Sequence, residues 1–392
     1  MYMIIPFFMI YTITAVVSPY LPMLIRGLGY SPSTVGLLMG VFEGAGIAGP
    51  FIFGYFADKM GRYKPGLIIT AVIIVAAAIP LSFFTNPLIS ALFIALIAIG
   101  FRSGSPLLDA VTTISIGKNG GDYGKIRTAG SVSFVIMMFL LQSALILPPN
   151  TPRNISIWIA VTAALTTLSM IFIPSKYAST GDYAQSAGAA RRAQKKNGEP
   201  PKNRKLWSVL LVLGLGMMFL NRLAMASVYS FFSLFLTESL QWNAVGFMWA
   251  LATISEIPFM FLSKGLIRRF GALRILVVSA LAVSLRLSIF AFFPVKTGVI
   301  CAQLLHSLCY GLFHPAAVAF ISSCVPPERR ALGMSLYLSL GSGVPALLGN
   351  ILGGIIVETS GYQALYSTFA LFPLAAVGLY FIAARKKRLL QI

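Results

Sequence analysis

Acid is scarce in this chain. Its 392 residues include only ten aspartates and glutamates and two histidines, and charged residues of both signs make up 10% of it. A soluble domain carries about 25%, so a water-facing surface is not what this composition builds. Cysteine is scarcer still. Cys301, Cys309 and Cys324 fall in one apolar segment with no zinc-ribbon spacing, where thiols act as small apolar fillers. His-Glu-x-x-His, Gly-x-Ser-x-Gly and grouped metal ligands are all missing from the sequence. A membrane-embedded enzyme would therefore have nothing to carry its chemistry, and no metal or cofactor is expected.

What the chain has is hydrocarbon, 57% of its residues. It comes in runs of about 18 or more, each long enough to cross a bilayer of about 30 Å as a helix. These runs predict about twelve spans: 3–25, 33–57, 65–84, 88–116, 124–147, 153–174, 206–236, 243–265, 271–293, 297–324, 329–356 and 361–384. The first starts at Met3 without a basic leader and continues past Met23, so it reads as a spanning helix rather than a cleavable signal.

The net charge of +20 invites a nucleic-acid partner, but the placement of the charges argues against one. One side of the predicted spans receives Lys59, Arg62 and Lys64; Lys118, Lys125 and Arg127; the segment from Ser175 to Lys205; Lys264, Arg268, Arg269 and Arg274; Arg329 and Arg330; and Arg385 to Arg388. The other side receives Arg26, Arg153 and Lys296. By the positive-inside rule this asymmetry predicts a multi-pass protein of the cell membrane with both termini in the cytoplasm.

The segment GDYAQSAGAARRAQKKNGEPPKNRK has no apolar period and reads as a solvated tether. It divides residues 1–174 from 206–392, six spans from six, with 175–205 as a cytoplasmic linker. The halves echo one another. Gly54-xxx-Asp58-Lys59-x-Gly61 has the spacing of Lys264-xxx-Arg268-Arg269-x-Gly271, and Arg127-xx-Gly130 that of Arg330-xx-Gly333. Repeats of six spans suit a transporter whose site lies at the repeat interface.

GYFADKMGRYKP, from Gly54 to Pro65, resembles the loop signature of the major facilitator superfamily, with Gly54, Asp58, Lys59, Gly61, Arg62 and Lys64 all matching. The resemblance implies an all-α membrane fold of two pseudo-symmetric six-helix bundles and makes this loop a cytoplasmic gate. Gly54 would let two helices approach, and Asp58 would pair with a basic residue or a helix N-terminus. YGKIRTAGSVSF, SEIPFMF, LRLSIF and QLLHSLCYGLFH further resemble the lactose-permease and phenylpropionate-permease branch. By that likeness Asp109 and Arg127 fall on a sugar-binding acid and its arginine partner. Phe134 falls on a ring that stacks against sugar, and Glu256, Arg286 and His306 fall on a coupling network. Two features depart from the sugar-permease pattern. Cys309 stands where an acid carries the proton, and an Asp–Lys pair between the seventh and eleventh spans is missing. Both favour the phenylpropionate side.

Apart from any family, six ionisable residues stand inside the spans: Glu43, Asp109, Glu256, Arg102, Arg222 and Arg286. Unpaired and facing lipid, six such groups would cost roughly 15–20 kcal/mol, so they are expected to face one another or water. Arg102 and Asp109, seven residues apart, share a helix face. Arg222 reaches Glu43 or another acid, or else snorkels toward water. Gln303, His306, Tyr310 and His314 form one polar stripe, and Tyr11, Thr14 and Ser18 another. His306 and Cys309 alone make no metal site.

The expectation is a monomeric, proton-coupled importer of a small organic solute: an aromatic acid, sugar or nucleoside. Asp109, Arg127, Phe134, Arg102, Tyr11 and Tyr310 would bind the solute, and Glu256, Arg286, His306 and Glu43 would couple it to protons. Burial disfavours a carboxylate's charge and a nearby arginine favours it, so proton occupancy can switch as water enters or leaves. The alternatives are efflux of sugars or drugs by proton antiport, and a non-transporting receptor of the same fold. The fifth span, GSVSFVIMMFLLQSAL, lacks the Gly-Pro stretch of drug antiporters, which counts against efflux.

Overall fold

The computed structural model describes residues 3–119, 123–148, 151–174, 208–326 and 329–385. The expected linker, 175–205, lies outside the described residues. Among the described residues the protein is helical, and no strand occurs. The first six spans are α1 (Ile4–Gly27), α2 (Pro32–Met60), α3 (Lys64–Leu81), α4 (Pro87–Asn119), α5 (Tyr123–Ser143) and α6 (Pro152–Ile171). After them come α7 (Val209–Leu234), α8 (Val245–Phe270), α9 (Ala272–Phe292) and α10 (Lys296–Cys324). The last described helices are α11 (Arg330–Leu338, continued by Val344–Phe369) and α12 (Leu371–Arg385).

Eleven helical stretches among the described residues are long and apolar enough to cross a membrane, and the last, Leu332–Ile382, has 51 residues. At about 20 residues per crossing that length holds two spans. The break is at Gly361, whose φ of 80° and ψ of 179° lie outside any helix. Only glycine adopts this conformation without strain. Gly361→Ala is expected to lower stability by about 1–3 kcal/mol, read as a lower thermal midpoint of the purified protein.

Large apolar side chains cover the outside: Leu88 is 81% exposed, Phe261 80% and Phe172 74%. On a water-soluble protein such a surface would aggregate; facing lipid it costs nothing. Many hydroxyls are satisfied by the carbonyl three or four residues back, as with Thr162, Thr166 and Ser169.

Packing separates two compact units. The first comprises the described residues of Met1–Val17, Ala45–Met137 and Arg153–Lys205. Within it, Ser133 of α5 donates to the Phe8 carbonyl at 2.6 Å and Thr166 of α6 to the Met9 carbonyl at 2.9 Å, tying both helices to α1. The second comprises the described residues of Ser18–Gly44, Met138–Pro152 and Leu206–Ile392. Its centre is aromatic, with Phe232, Phe235, Phe290 and Tyr366 packed edge to face or tilted.

Among the described residues three π-helical turns interrupt the second unit: Phe235–Ser239 after α7, Ser307–Gly311 inside α10 and Ser339–Gly343 inside α11. Such insertions re-aim side chains and occur mostly at functional sites.

Candidate functional site

Asp109 projects from α4 and Arg127 from the first turns of α5, and their side chains meet at 3.2 Å. Tyr123, one turn before Arg127, donates to the same carboxylate oxygen at 2.7 Å and accepts from Arg127 at 3.1 Å. The side chains of Asp109 and Arg127 remain 33% and 45% exposed. An ion pair this open contributes about 0–1 kcal/mol to stability, so it is poor glue and remains available to a ligand. Tyr11 lies beside it: a Cβ at Gly130 of α5 would collide with the Tyr11 ring. Phe134 is buried. The shared helix face of Arg102 and Asp109 leads elsewhere. Asp109 engages Arg127 and Tyr123, while the Arg102 guanidinium lies 5.7 Å from the Phe101 ring.

A second cluster is buried in the second unit. Arg286 of α9 is 1% exposed. One of its terminal nitrogens hydrogen-bonds Nδ1 of His306 at 2.9 Å and the other the Gln303 side-chain oxygen, whose amide in turn donates to the Met248 carbonyl. Arginine only donates, so His306 Nδ1 must accept, which puts the ring proton on Nε2. That nitrogen faces Oε2 of Glu256 at 3.8 Å. The chain Gln303–Arg286–His306–Glu256 thus links a permanent cation, through the imidazole, to a titratable acid at its end. Cys309, in the π turn, is buried against the same guanidinium.

Below His306, α10 presents a column of parallel rings. His306 and Tyr310 are 5.9 Å apart with planes 2° apart, and Tyr310 and His314 are 6.1 Å apart at 12°. His314 Nδ1 closes the column with a 3.0 Å hydrogen bond to the Tyr337 hydroxyl. Near it Arg222 of α7 meets Glu43 of α2 at 3.8 Å, so of the options open for Arg222 the structure takes Glu43.

The third feature is a set of clamps within the second unit, near the ends of α1, α2, α5, α7 and α11. Arg26 Nε donates to Glu238 at 2.6 Å, and the Tyr362 hydroxyl donates to the other oxygen of that carboxylate at 2.7 Å. Glu358 accepts from the Ser31 hydroxyl at 2.7 Å and from the Ser33 backbone N–H at 2.8 Å. Its negative charge thereby caps the N-terminus of α2, where free N–H groups favour an anion. Gln142 donates to the Asn243 carbonyl and accepts from the Gly246 N–H, both at 2.9 Å. Beside these, α2 and α11 touch backbone to backbone. A Cβ at Gly36 would fall 2.8 Å from the Gly354 Cα, and one at Gly354 would fall 2.9 Å from the Gly36 Cα. Sequence reasoning missed this set, because it sought ionisable groups only within spans. The available signal was acid, in Glu238 and Glu358, at the helix ends away from the basic loops.

The Gly54–Arg62 loop differs from its expected geometry in two respects. A Cβ at Gly54 would meet nothing within 4 Å, so no close helix approach depends on it here. Among the described residues Asp58 accepts from the Tyr63 hydroxyl at 2.6 Å, a neighbour supplied by the turn itself, rather than from a basic residue. Lys64, just past the loop, donates to the Ile171 and Ile173 carbonyls at 2.6 and 2.8 Å and so caps the C-terminal end of α6. Lys59 lies 6.0 Å from the Tyr55 ring centre. Elsewhere, a cavity of about 360 Å³ lined by Arg269, Arg274, Phe320 and Tyr380 contains none of the expected coupling residues.

The MFS_1 like family model matches residues 1–368. The chain belongs to that family. Among curated proteins it is 25% identical over 369 residues to the uncharacterized transporter YwbF of Bacillus subtilis, covering 91% of this chain and 87% of that one. It is also 25% identical over 353 residues to the probable 3-phenylpropionic acid transporter of Escherichia coli, covering 88% and 87%. Among solved structures, the nucleoside transporter NupG superposes with a TM-score of 0.76 at 18% identity, over 97% of this chain and 98% of the other. The Escherichia coli xylose transporter XylE, inward open, gives 0.70 at 13% identity over 97% and 94%. The fold is that of the major facilitator superfamily, and the protein is a multi-pass membrane transporter of small solutes. Relatives and structural neighbours alike are transporters rather than enzymes.

Proposed function

We propose that this protein imports a small organic solute together with protons, by alternating access. The observation that carries the coupling is the buried chain ending in Glu256. His306, held in one tautomer by Arg286, presents an N–H toward the Glu256 carboxylate, 3.8 Å away. A negative Glu256 is answered through that ring by the Arg286 charge, and a protonated Glu256 is not. Proton loss and gain there change the local field by a full charge, which is what coupling to a conformational change needs.

The clamps support the conformational half of the reading. By the positive-inside rule the basic loops are cytoplasmic, as are both termini, and Arg26, Glu238, Glu358 and Tyr362 mark the outer end. On this reading the clamps serve to hold an outer gate shut. Half-open pairs such as Arg26–Glu238, with side chains 35% and 32% exposed, contribute about 0–1 kcal/mol each. Such a gate is closed by many weak bonds and can therefore reopen.

Asp109, Arg127 and Tyr123 would orient the solute, which belongs to the range that the relatives' names span: phenylpropionate, sugars and nucleosides. Asp109→Asn and Arg127→Gln are each expected to abolish binding, and the double mutant to be little worse than either, because the two act through one contact. Additive losses in ligand titrations would show two independent residues instead.

The test of the function is direct. A thermal-shift screen of aromatic acids, sugars and nucleosides identifies the solute, and its uptake into proteoliposomes is then measured with and without an inward pH gradient. Accumulation that a protonophore abolishes supports proton-linked import. Accumulation only under an outward solute gradient, or none at all, contradicts it.

A further inference from the structure

The cavity at the turn from α8 to α9 has no part in the transport reading. Its volume, about 360 Å³, falls among ligand pockets of about 300–1,000 Å³. Arg269 and Arg274 stand in its wall on either side of Gly271, and Leu210, Phe320 and Tyr380 make it apolar elsewhere. Gly271 makes the reversal. Its φ of 83° and ψ of 148° suit glycine alone, and its N–H closes on the Ile267 carbonyl at 2.8 Å. The two arginines thereby border one space.

Nothing in the surrounding helices neutralises them. No acid occurs from Val209 to Thr237, from Ile257 to Pro327, or after Glu358. Among the described residues no carboxylate pairs with either guanidinium. Two uncompensated guanidinium groups beside one cavity fit the oxygens of a phosphate.

The surface of α9 indicates what carries that phosphate. Arg274 heads a line of Val278, Leu281 and Leu285, spaced by four, three and four residues and so on one helix face. Those three side chains are 43%, 46% and 53% exposed, an apolar stripe that suits lipid tails. A free phosphate would use the charge and leave the stripe idle; a phospholipid uses both. By the orientation proposed above this end faces the cytoplasmic leaflet, where anionic lipids attract basic segments and basic pockets between spans hold their head groups.

We infer that this cavity binds the phosphate of an anionic phospholipid. Arg269 and Arg274 hold the head group, and an acyl chain runs along Val278, Leu281 and Leu285.

The test uses the full-length protein purified in neutral detergent. It is titrated with phosphatidylglycerol, with phosphatidylcholine of the same chains and with glycerol 1-phosphate, and bound lipid is counted by native mass spectrometry. Phosphatidylglycerol should bind saturably, and phosphatidylcholine several-fold more weakly, because its choline offsets the phosphate charge. Both arginines are exposed, so replacing them leaves the packing intact. Arg269→Gln and Arg274→Gln should each weaken binding by about fivefold, the factor for one basic residue near an anionic surface. Arg268→Gln removes the same charge from outside the wall and should change binding little. The inference is overturned if the two lipids bind alike, if neither wall variant weakens binding, or if Arg268→Gln weakens it as much as they do. Displacement of the lipid by an equal concentration of glycerol 1-phosphate would show a site for soluble phosphates and overturn it too. None of these arms measures transport, so their failure leaves the importer reading standing.

Discussion

Glu256→Gln is expected to leave solute exchange across the membrane intact and to abolish accumulation against a gradient. Glutamine has nearly the size of a protonated glutamate and can still accept from the His306 N–H, but it cannot lose a proton. The variant is thereby held in the neutral state of the chain Gln303–Arg286–His306–Glu256. Counterflow of labelled solute should proceed at a near wild-type rate, whereas concentrative uptake under an imposed pH gradient should fall to equilibration. Binding should also lose the pH dependence that a titrating carboxyl imposes. Cys309→Ser should change little, since the thiol packs against Arg286 without carrying a charge of its own. If Glu256→Gln still concentrates solute, the proton is carried elsewhere, and Asp109 and Glu43 become the acids to test.

Gly36→Leu should have the second large effect. At this contact the α2 and α11 backbones leave no room for a side chain: the atoms a Cβ would strike include the Asn350 carbonyl oxygen and the Gly354 Cα. Backbone cannot rotate aside as a side chain does, so the helices must part. Overpacking of this kind costs about 1–3 kcal/mol or more, which shifts a two-state equilibrium by about 5- to 150-fold. On the importer reading proposed above, a closed outer gate is the state that loses. Transport should fall steeply while the protein still folds. A cysteine at Ser33, in a background with Cys301, Cys309 and Cys324 replaced by Ala, should react faster with an impermeant thiol reagent added outside. Unchanged labelling together with normal transport would show that this approach is not part of a gate.

Much of the fold is legible in the sequence because its cause is one-dimensional. A bilayer demands about 20 apolar residues per crossing, so the spans stand out by length alone; even the pair fused into Leu332–Ile382 separates at a boundary near Gly361. The stripe of Gln303, His306, Tyr310 and His314 is visible for the same reason, since a single helix sets its period. Pairings between helices are not. Arg26 and Glu238 are 212 residues apart, and nothing in either neighbourhood names the other. Asp109 and Arg127 are joined by family likeness, but Tyr123, which bonds both, carries no signal of its own. The π turns escape because an extra residue in a helix changes no hydrophobic period over five residues. Lys64 is legible as one charge of a loop motif and not as the cap of α6, whose carbonyls are more than a hundred residues away along the chain.

The claim on which the rest depends is that solute and proton move inward together. It is tested most directly by adding the solute to lightly buffered, de-energised vesicles containing the protein and recording the external pH. The account predicts a transient alkalinisation, abolished by a protonophore and absent in Glu256→Gln. Acidification would mean antiport, and solute entry with no change in pH would mean that Glu256 couples nothing.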